Sequence, residues 1–139
     1  MKRMRWLLLA LLGAAGPALA LEGTMALRVS SPLVVSATPG LRLGHPGDFE
    51  PTIQADLGVG GGKILVGADS LGEGFGWGLK AGLLRTWLAP IVTEKEQTFL
   101  GVELEVGYQH LFASVGLYGR IEGDQGGNAT LIGGLGWLF

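Results

Sequence analysis

The sequence predicts an all-β chain: an eight-stranded antiparallel up-and-down transmembrane β-barrel behind an N-terminal signal peptide. Three observations carry this. Apolar and polar residues alternate with period two through most of residues 24–139, glycine crowds the polar side of that alternation, and two tryptophans ten residues apart share an apolar face. Period two belongs to strands, whose successive side chains point to opposite faces. The composition agrees. With 47% hydrophobic residues the 139-residue chain is no disordered segment, and 26 glycines without a G-X-Y period are not collagen. No cysteine means no disulfide framework, no thiol nucleophile and no thiolate zinc site. A net charge of −2 offers no basic footprint, so nucleic acid is not an expected partner.

Residues 1–20 read as an export signal. Lys2, Arg3 and Arg5 form a basic start, Trp6 to Leu12 an apolar run, and Ala18-Leu19-Ala20 a small-x-small cleavage site. The apolar run is shorter than the roughly 20 residues a membrane-spanning helix needs. Cleavage after Ala20 leaves residues 21–139 as the barrel domain. No later stretch reads as a membrane helix, because the longest uncharged run, Gln125 to Phe139, is rich in glycine.

The strands follow in order. Met25, Leu27 and Val29 alternate around Arg28 in the first (24–30), and a second (35–43) surrounds Arg42. In the third (52–60), Ile53, Ala55, Leu57 and Val59 oppose Gln54 and Asp56. The fourth (63–69) sets Ile64, Val66 and Ala68 against Lys63 and Asp69. The fifth (75–87) places Phe75, Trp77, Leu79, Ala81, Leu83 and Trp87 opposite Gly76, Gly78, Lys80, Gly82 and Thr86. The sixth (98–109) puts Leu100, Val102, Leu104, Val106 and Tyr108 opposite Gly101, Glu103, Glu105 and Gly107. The seventh (112–122) sets Ala113, Val115, Leu117 and Ile121 against Ser114, Gly116, Tyr118, Arg120 and Glu122. The eighth (129–139) aligns Leu131, Leu135, Trp137 and Phe139. Between them, Ser31-Pro32, Gly60-Gly61-Gly62, Leu71 to Gly74 and Gly123 to Gly127 have turn chemistry, and Leu88 to Gln97 is the largest outward loop. No connection holds a crossover helix, so all neighbours are antiparallel.

Alternation alone does not say which face is inside. Glycines at 76, 78, 82, 101, 107 and 116 weaken strands without helping solvation, but they leave room in a narrow lumen for a few long side chains. Trp77 and Trp87 lie about 33 Å apart along a strand, or about 25 Å in height when tilted about 40°, the height of a lipid-facing band between aromatic girdles. Trp77, Tyr108 and Trp137 gather at one rim and Trp87 marks the other. Arg85 falls on the apolar parity two residues from that rim, within snorkelling reach of headgroups. The apolar faces are therefore expected to point outward.

The sequence stops at Leu135-Gly136-Trp137-Leu138-Phe139, a strand with a terminal aromatic. Leader, eight alternating strands and that ending together resemble the small bacterial outer-membrane β-barrels, the class of the OmpA membrane domain and OmpX. The resemblance implies that Leu131, Leu135, Trp137 and Phe139 form an assembly signal read by the barrel-assembly machinery, with Gly133 departing from the pattern. It implies outer-membrane lipid as surroundings, periplasmic termini and a surface-loop partner the sequence does not name.

With apolar faces outward, Arg28, Arg42, Lys63, Lys80 and Arg120 meet Asp56, Asp69, Glu103, Glu105 and Glu122 in the lumen. Such a balance predicts a salt-bridged plug centred on Glu103 and Glu105 with Lys80 and Arg120, because buried charge is tolerable only when paired. The expected role is structural or surface-interacting, without enzyme activity, cofactor or metal. A narrow small-solute channel, a soluble periplasmic barrel binding an apolar ligand, and a lipid-modifying enzyme are the alternatives. Motifs for chemistry are thin. Glu103 and Glu105 share a face as paired glycosidase carboxylates would, and His110 with Ser114 resembles part of a Ser-His-acid set. His45 has no companion ligand, Gly60-Gly61-Gly62-Lys63 lacks the P-loop hydroxyl, and Asn128-Ala129-Thr130 is an isolated sequon.

Overall fold

The computed structural model describes residues 21–44, 49–87, 96–122 and 129–139. The leader, His45, most of the loop after Trp87 and the turn at 123–127 lie outside them. Eight strands form: β1 (Leu21–Ser30), β2 (Val34–Leu43), β3 (Glu50–Gly58), β4 (Gly61–Asp69), β5 (Phe75–Thr86), β6 (Thr98–Tyr108), β7 (Leu111–Glu122) and β8 (Ala129–Leu138). Each pairs antiparallel with its sequence neighbour, and β1 closes on β8 into a barrel. No described helix is long and apolar enough to cross a membrane. The β3–β4 turn sits at Val59–Gly60 rather than on the three glycines, because Gly61 and Gly62 pair with Thr86 and Arg85 inside the β4–β5 ladder.

The wall is inverted relative to a globular core. Outward-pointing Leu27, Trp77, Val102, Leu104, Leu117 and Leu135 are exposed, while Arg28, Lys63, Lys80, Glu103 and Glu105 are buried inside. At the rim where β1 starts and β8 ends, here the chain-end rim, Phe75, Tyr108, Leu111 and Trp137 fall opposite one another across β5–β8. Trp77 and His110 join them, Trp77 against Phe49 and the His110 ring stacked on Trp137 at 5.7 Å. Trp87 stands at the opposite rim, where its indole donates to the Val59 carbonyl (2.9 Å).

Inside, two apolar clusters bracket the charges. Leu33, Leu84, Phe99, Tyr118 and Ile132 fill the lumen toward the Trp87 rim, and Ala26, Leu71 and Phe112, with Leu138 against them, fill it toward the chain ends. Leu84, Phe99, Phe112 and Ile132 occupy the polar parity of their strands, the one signal by which the alternation could have placed them inside. Glycine makes the room. A Cβ on Gly82 would lie 2.2 Å from the Tyr118 hydroxyl, and one on Gly136 2.3 Å from the Phe112 ring. The turn after β1 folds Leu33 fully inward, and the next residue, Val34, takes φ 66°, a left-handed conformation that a β-branched residue rarely adopts.

Candidate functional site

The chemically rich region is the band between the two apolar clusters. β1 supplies Arg28, β2 Arg42, β3 Glu50 and Asp56, β4 Lys63 and Asp69, β5 Lys80, and β6 Glu103 and Glu105, all buried. Alternation is what aims them inward, since each has the parity opposite to its strand's aliphatics.

They form one connected chain. Lys63 Nζ donates to Glu103 Oε2 (2.7 Å), whose other oxygen accepts from Arg28. Arg28 bonds Glu105 through its second terminal nitrogen, and Glu105 bonds Lys80. Lys80 also reaches Asp69 (2.8 Å) and donates to Gln54 (2.6 Å). Arg42 donates to Asp69 (2.7 Å), with Glu50 3.7 Å from its Nε. Asp56 lies between Arg28 (3.3 Å) and Lys63 (3.2 Å). Tyr118 donates to Glu103 (3.0 Å), and the Arg28 guanidinium stands 4.9 Å over the Phe112 ring. Four buried cations thus meet five buried carboxylates. Arg28, sharing Asp56 and Glu103 with Lys63 and Glu105 with Lys80, is the hub.

Eight residues expected of the lumen are buried there: Arg28, Arg42, Asp56, Lys63, Asp69, Lys80, Glu103 and Glu105. The other two differ. Glu122 is on the outside, bonded to Arg85 (2.9 Å) and Thr98 (3.0 Å). A register shift lies between Thr98, which pairs with Glu122, and Phe99, which pairs with Arg120. Ile121 is the extra residue of that bulge, and an extra residue reverses the parity beyond it. Arg120 is half-buried at the level of Phe99, whereas Gly116 stands opposite Glu103. The four residues between them amount to about 13 Å of strand. The β7 contact to Glu103 therefore comes from Tyr118.

Glu50 is the acid that the alternation missed, since the interval from Gly44 to Pro51 reads as a connection. Its side chain is nevertheless inside, and a Cβ on Gly44 would lie 2.8 Å from it. The outward residues Trp77, Trp87, Tyr108 and Trp137 are exposed, as are Leu131 and Leu135 on β8 and Phe139 directly after it.

The hydrolase-like pair does not assemble. Ser114 is inside, while His110 is exposed in the β6–β7 turn with its Nδ1 3.0 Å from the Leu138 carbonyl. No group of acids and histidines suited to a metal ion occurs among the described residues. Glu103 and Glu105 are sealed in ion pairs, which gives them no approach to a sugar. What the arrangement does is fill and cross-link the barrel interior. No family model, curated protein or solved structure matches the chain.

Proposed function

We propose that the protein is a non-enzymatic β-barrel of a bacterial outer membrane, with a structural or surface-interaction role and a lumen filled by a charge-paired network. One observation carries the reading: the barrel turns its aliphatics outward between tryptophans at its two rims and buries nine charged side chains within. In water this arrangement exposes the surface that folding normally removes, whereas in a bilayer it is the low-energy state. The basic start, apolar run and small-x-small site within residues 1–20, which read as an export signal, and the outward Leu131, Leu135 and Trp137 of the last strand with Phe139 after it support assembly into that membrane. They also support kinship of architecture with the OmpA and OmpX class.

Closed barrels meet the backbone's hydrogen-bonding demand without water, which is what lets strands cross hydrocarbon. The buried charges then have to be matched inside the barrel, and the ion-paired chain from Lys63 to Arg42 does so. Fractionation tests the reading. The full chain, expressed in a bacterium with two membranes, should be found in the outer-membrane detergent extract. Its gel mobility should change on boiling. Release by osmotic shock as a soluble protein would overturn the proposal in favour of a periplasmic barrel.

A further inference from the structure

The unpaired polar atoms of the interior are not spread evenly. Ser30 Oγ, Ser36 Oγ, Thr38 Oγ1, Thr52 Oγ1 and Asp56 Oδ1 are buried without a hydrogen-bond partner among the described residues, and these lie on β1–β3; Asp56 Oδ2 and, on β4, Asp69 Oδ2 are met by ion pairs alone. Each of these residues is at most 5% exposed. On the opposite wall Phe99, Phe112, Tyr118 and Ile132 of β6–β8 pack into the two apolar clusters.

The register lines these atoms up. Thr52 stands opposite Arg42, which forms part of a cleft of about 610 Å³ at the chain-end rim together with Glu22, Thr24 and His110. Further in comes Gly40, where the Thr24 hydroxyl and the Gln54 stem close in to 2.6 and 2.7 Å from where a Cβ would stand, so the row narrows there to the Thr24 hydroxyl itself. Thr38 and Ser36 follow along β2, opposite Ala26 and Arg28, and Ser30 lies last on β1. There Leu33 closes the barrel, against Leu84, Phe99, Tyr118 and Ile132 and above Gly58. β2 and β3 leave Thr38–Pro39 and Ala55–Asp56 unpaired between paired flanks, so the ladder itself is loose beside Asp56.

We propose that this wall carries a file of bound water molecules, a half-channel that opens at the chain-end cleft, runs past Thr52, Thr38, Asp56 and Ser36 to Ser30, and ends under the Leu33 cap. Buried polar groups in folded proteins find a partner, and where the protein offers none, ordered water fills the role. A hydroxyl both donates and accepts, so a row of them between an acceptor-only carboxylate and arginine donors is suited to pass hydrogen bonds, and protons, along the file. Asp56 joins the two systems, one oxygen held by Arg28 and Lys63 and the other facing the hydroxyl row without a protein partner. The cap is apolar, and apolar constrictions close pores by excluding water.

The file stands independently of the membrane placement, whereas transport through it rests on that placement. Two measurements on the full chain test them separately. Water-to-protein nuclear Overhauser effects should reach the Thr38 and Thr52 methyls but not the rings of Phe112 and Tyr118; their absence at both methyls overturns the proposal. In vesicles holding a pH-sensitive dye, Leu33→Ala should raise proton leakage about tenfold over the parent, and adding Ser36→Ala with Thr38→Val should abolish the gain. Tight Leu33→Ala vesicles, with the protein inserted and heat-modifiable, would refute the cap, as would a leak that survives the double replacement. A chain that fails to float with vesicles refutes the membrane placement, and the Overhauser effects then decide the file alone.

Discussion

Arg28 shows how much one residue holds. It contacts Asp56, Glu103 and Glu105, and its own exposure is 1%. Arg28→Met removes the hub and leaves those carboxylates short of positive charge, a loss on the order of 3–5 kcal/mol for a broken buried pair. The expected outcome is a clear fall in the urea midpoint of the refolded protein; an unchanged midpoint would show that the network contributes nothing net. Glycines give a second test. Gly82→Ala should destabilise by about 1–3 kcal/mol, because its Cβ meets the Tyr118 hydroxyl that bonds Glu103. Gly23→Ala, with nothing within 4 Å, should change stability by less than about 0.5 kcal/mol. If the two behave alike in the same titration, the lumen is looser than its geometry implies. At this scale the sequence was legible where parity alone decides, as at Lys63 or Glu103. It was not legible at Glu50, which enters the lumen at the very start of its strand.

Strands differ in how firmly they are held. β1 and β8 share five paired positions, Ala26–Ser30 with Leu138–Gly134, whereas β5 and β6 pair from Phe75–Tyr108 through Arg85–Thr98. Fewer ladder bonds mean a lower opening energy. Amide hydrogen exchange should therefore be faster at Ala26–Ser30 than at Leu79–Leu83, and equal protection would contradict the weak seam. The β2–β3 gap has its own cause. The Met25 carbonyl accepts from the Phe139 amide, toward β8, so Pro39 opposite Met25 presents its backbone nitrogen to β3, where proline has no proton to donate. Pro39→Val should restore that donor and stabilise the barrel by about 0.5–1.5 kcal/mol. A lower denaturation midpoint would mean that the proline ring, not the lost bond, governs the site. The bulge opposite Thr98 belongs to this scale too, since one inserted residue sends Glu122 outward to Arg85, which no count of alternation reveals.

For the whole molecule, the surroundings decide what a surface substitution does. Val102 lies outward near the middle of the wall and Tyr108 outward at a rim. In a bilayer Val102→Arg should cost about 2–4 kcal/mol and Tyr108→Arg about 0–1 kcal/mol, the gradient expected of lipid-facing barrel positions. Denaturation midpoints of the two variants in vesicles measure it. Equal, near-zero effects would fit a barrel in water and would sink the outer-membrane reading.

The sequence by itself determined the strand count, the antiparallel order and, away from the bulge at Ile121 and the entry of β3, which face the residues share, because period two is local and follows from backbone geometry. Only the tertiary structure decided which charges meet. Pairing across a lumen depends on stagger and side-chain reach between strands far apart in the chain, and so Arg28 of β1 joins Glu103 and Glu105 of β6, partners that no spacing connects. Closure decided the rest: once β1 meets β8, the interior left over is too small for disorder, and glycines, rings and ion pairs have to divide it among themselves.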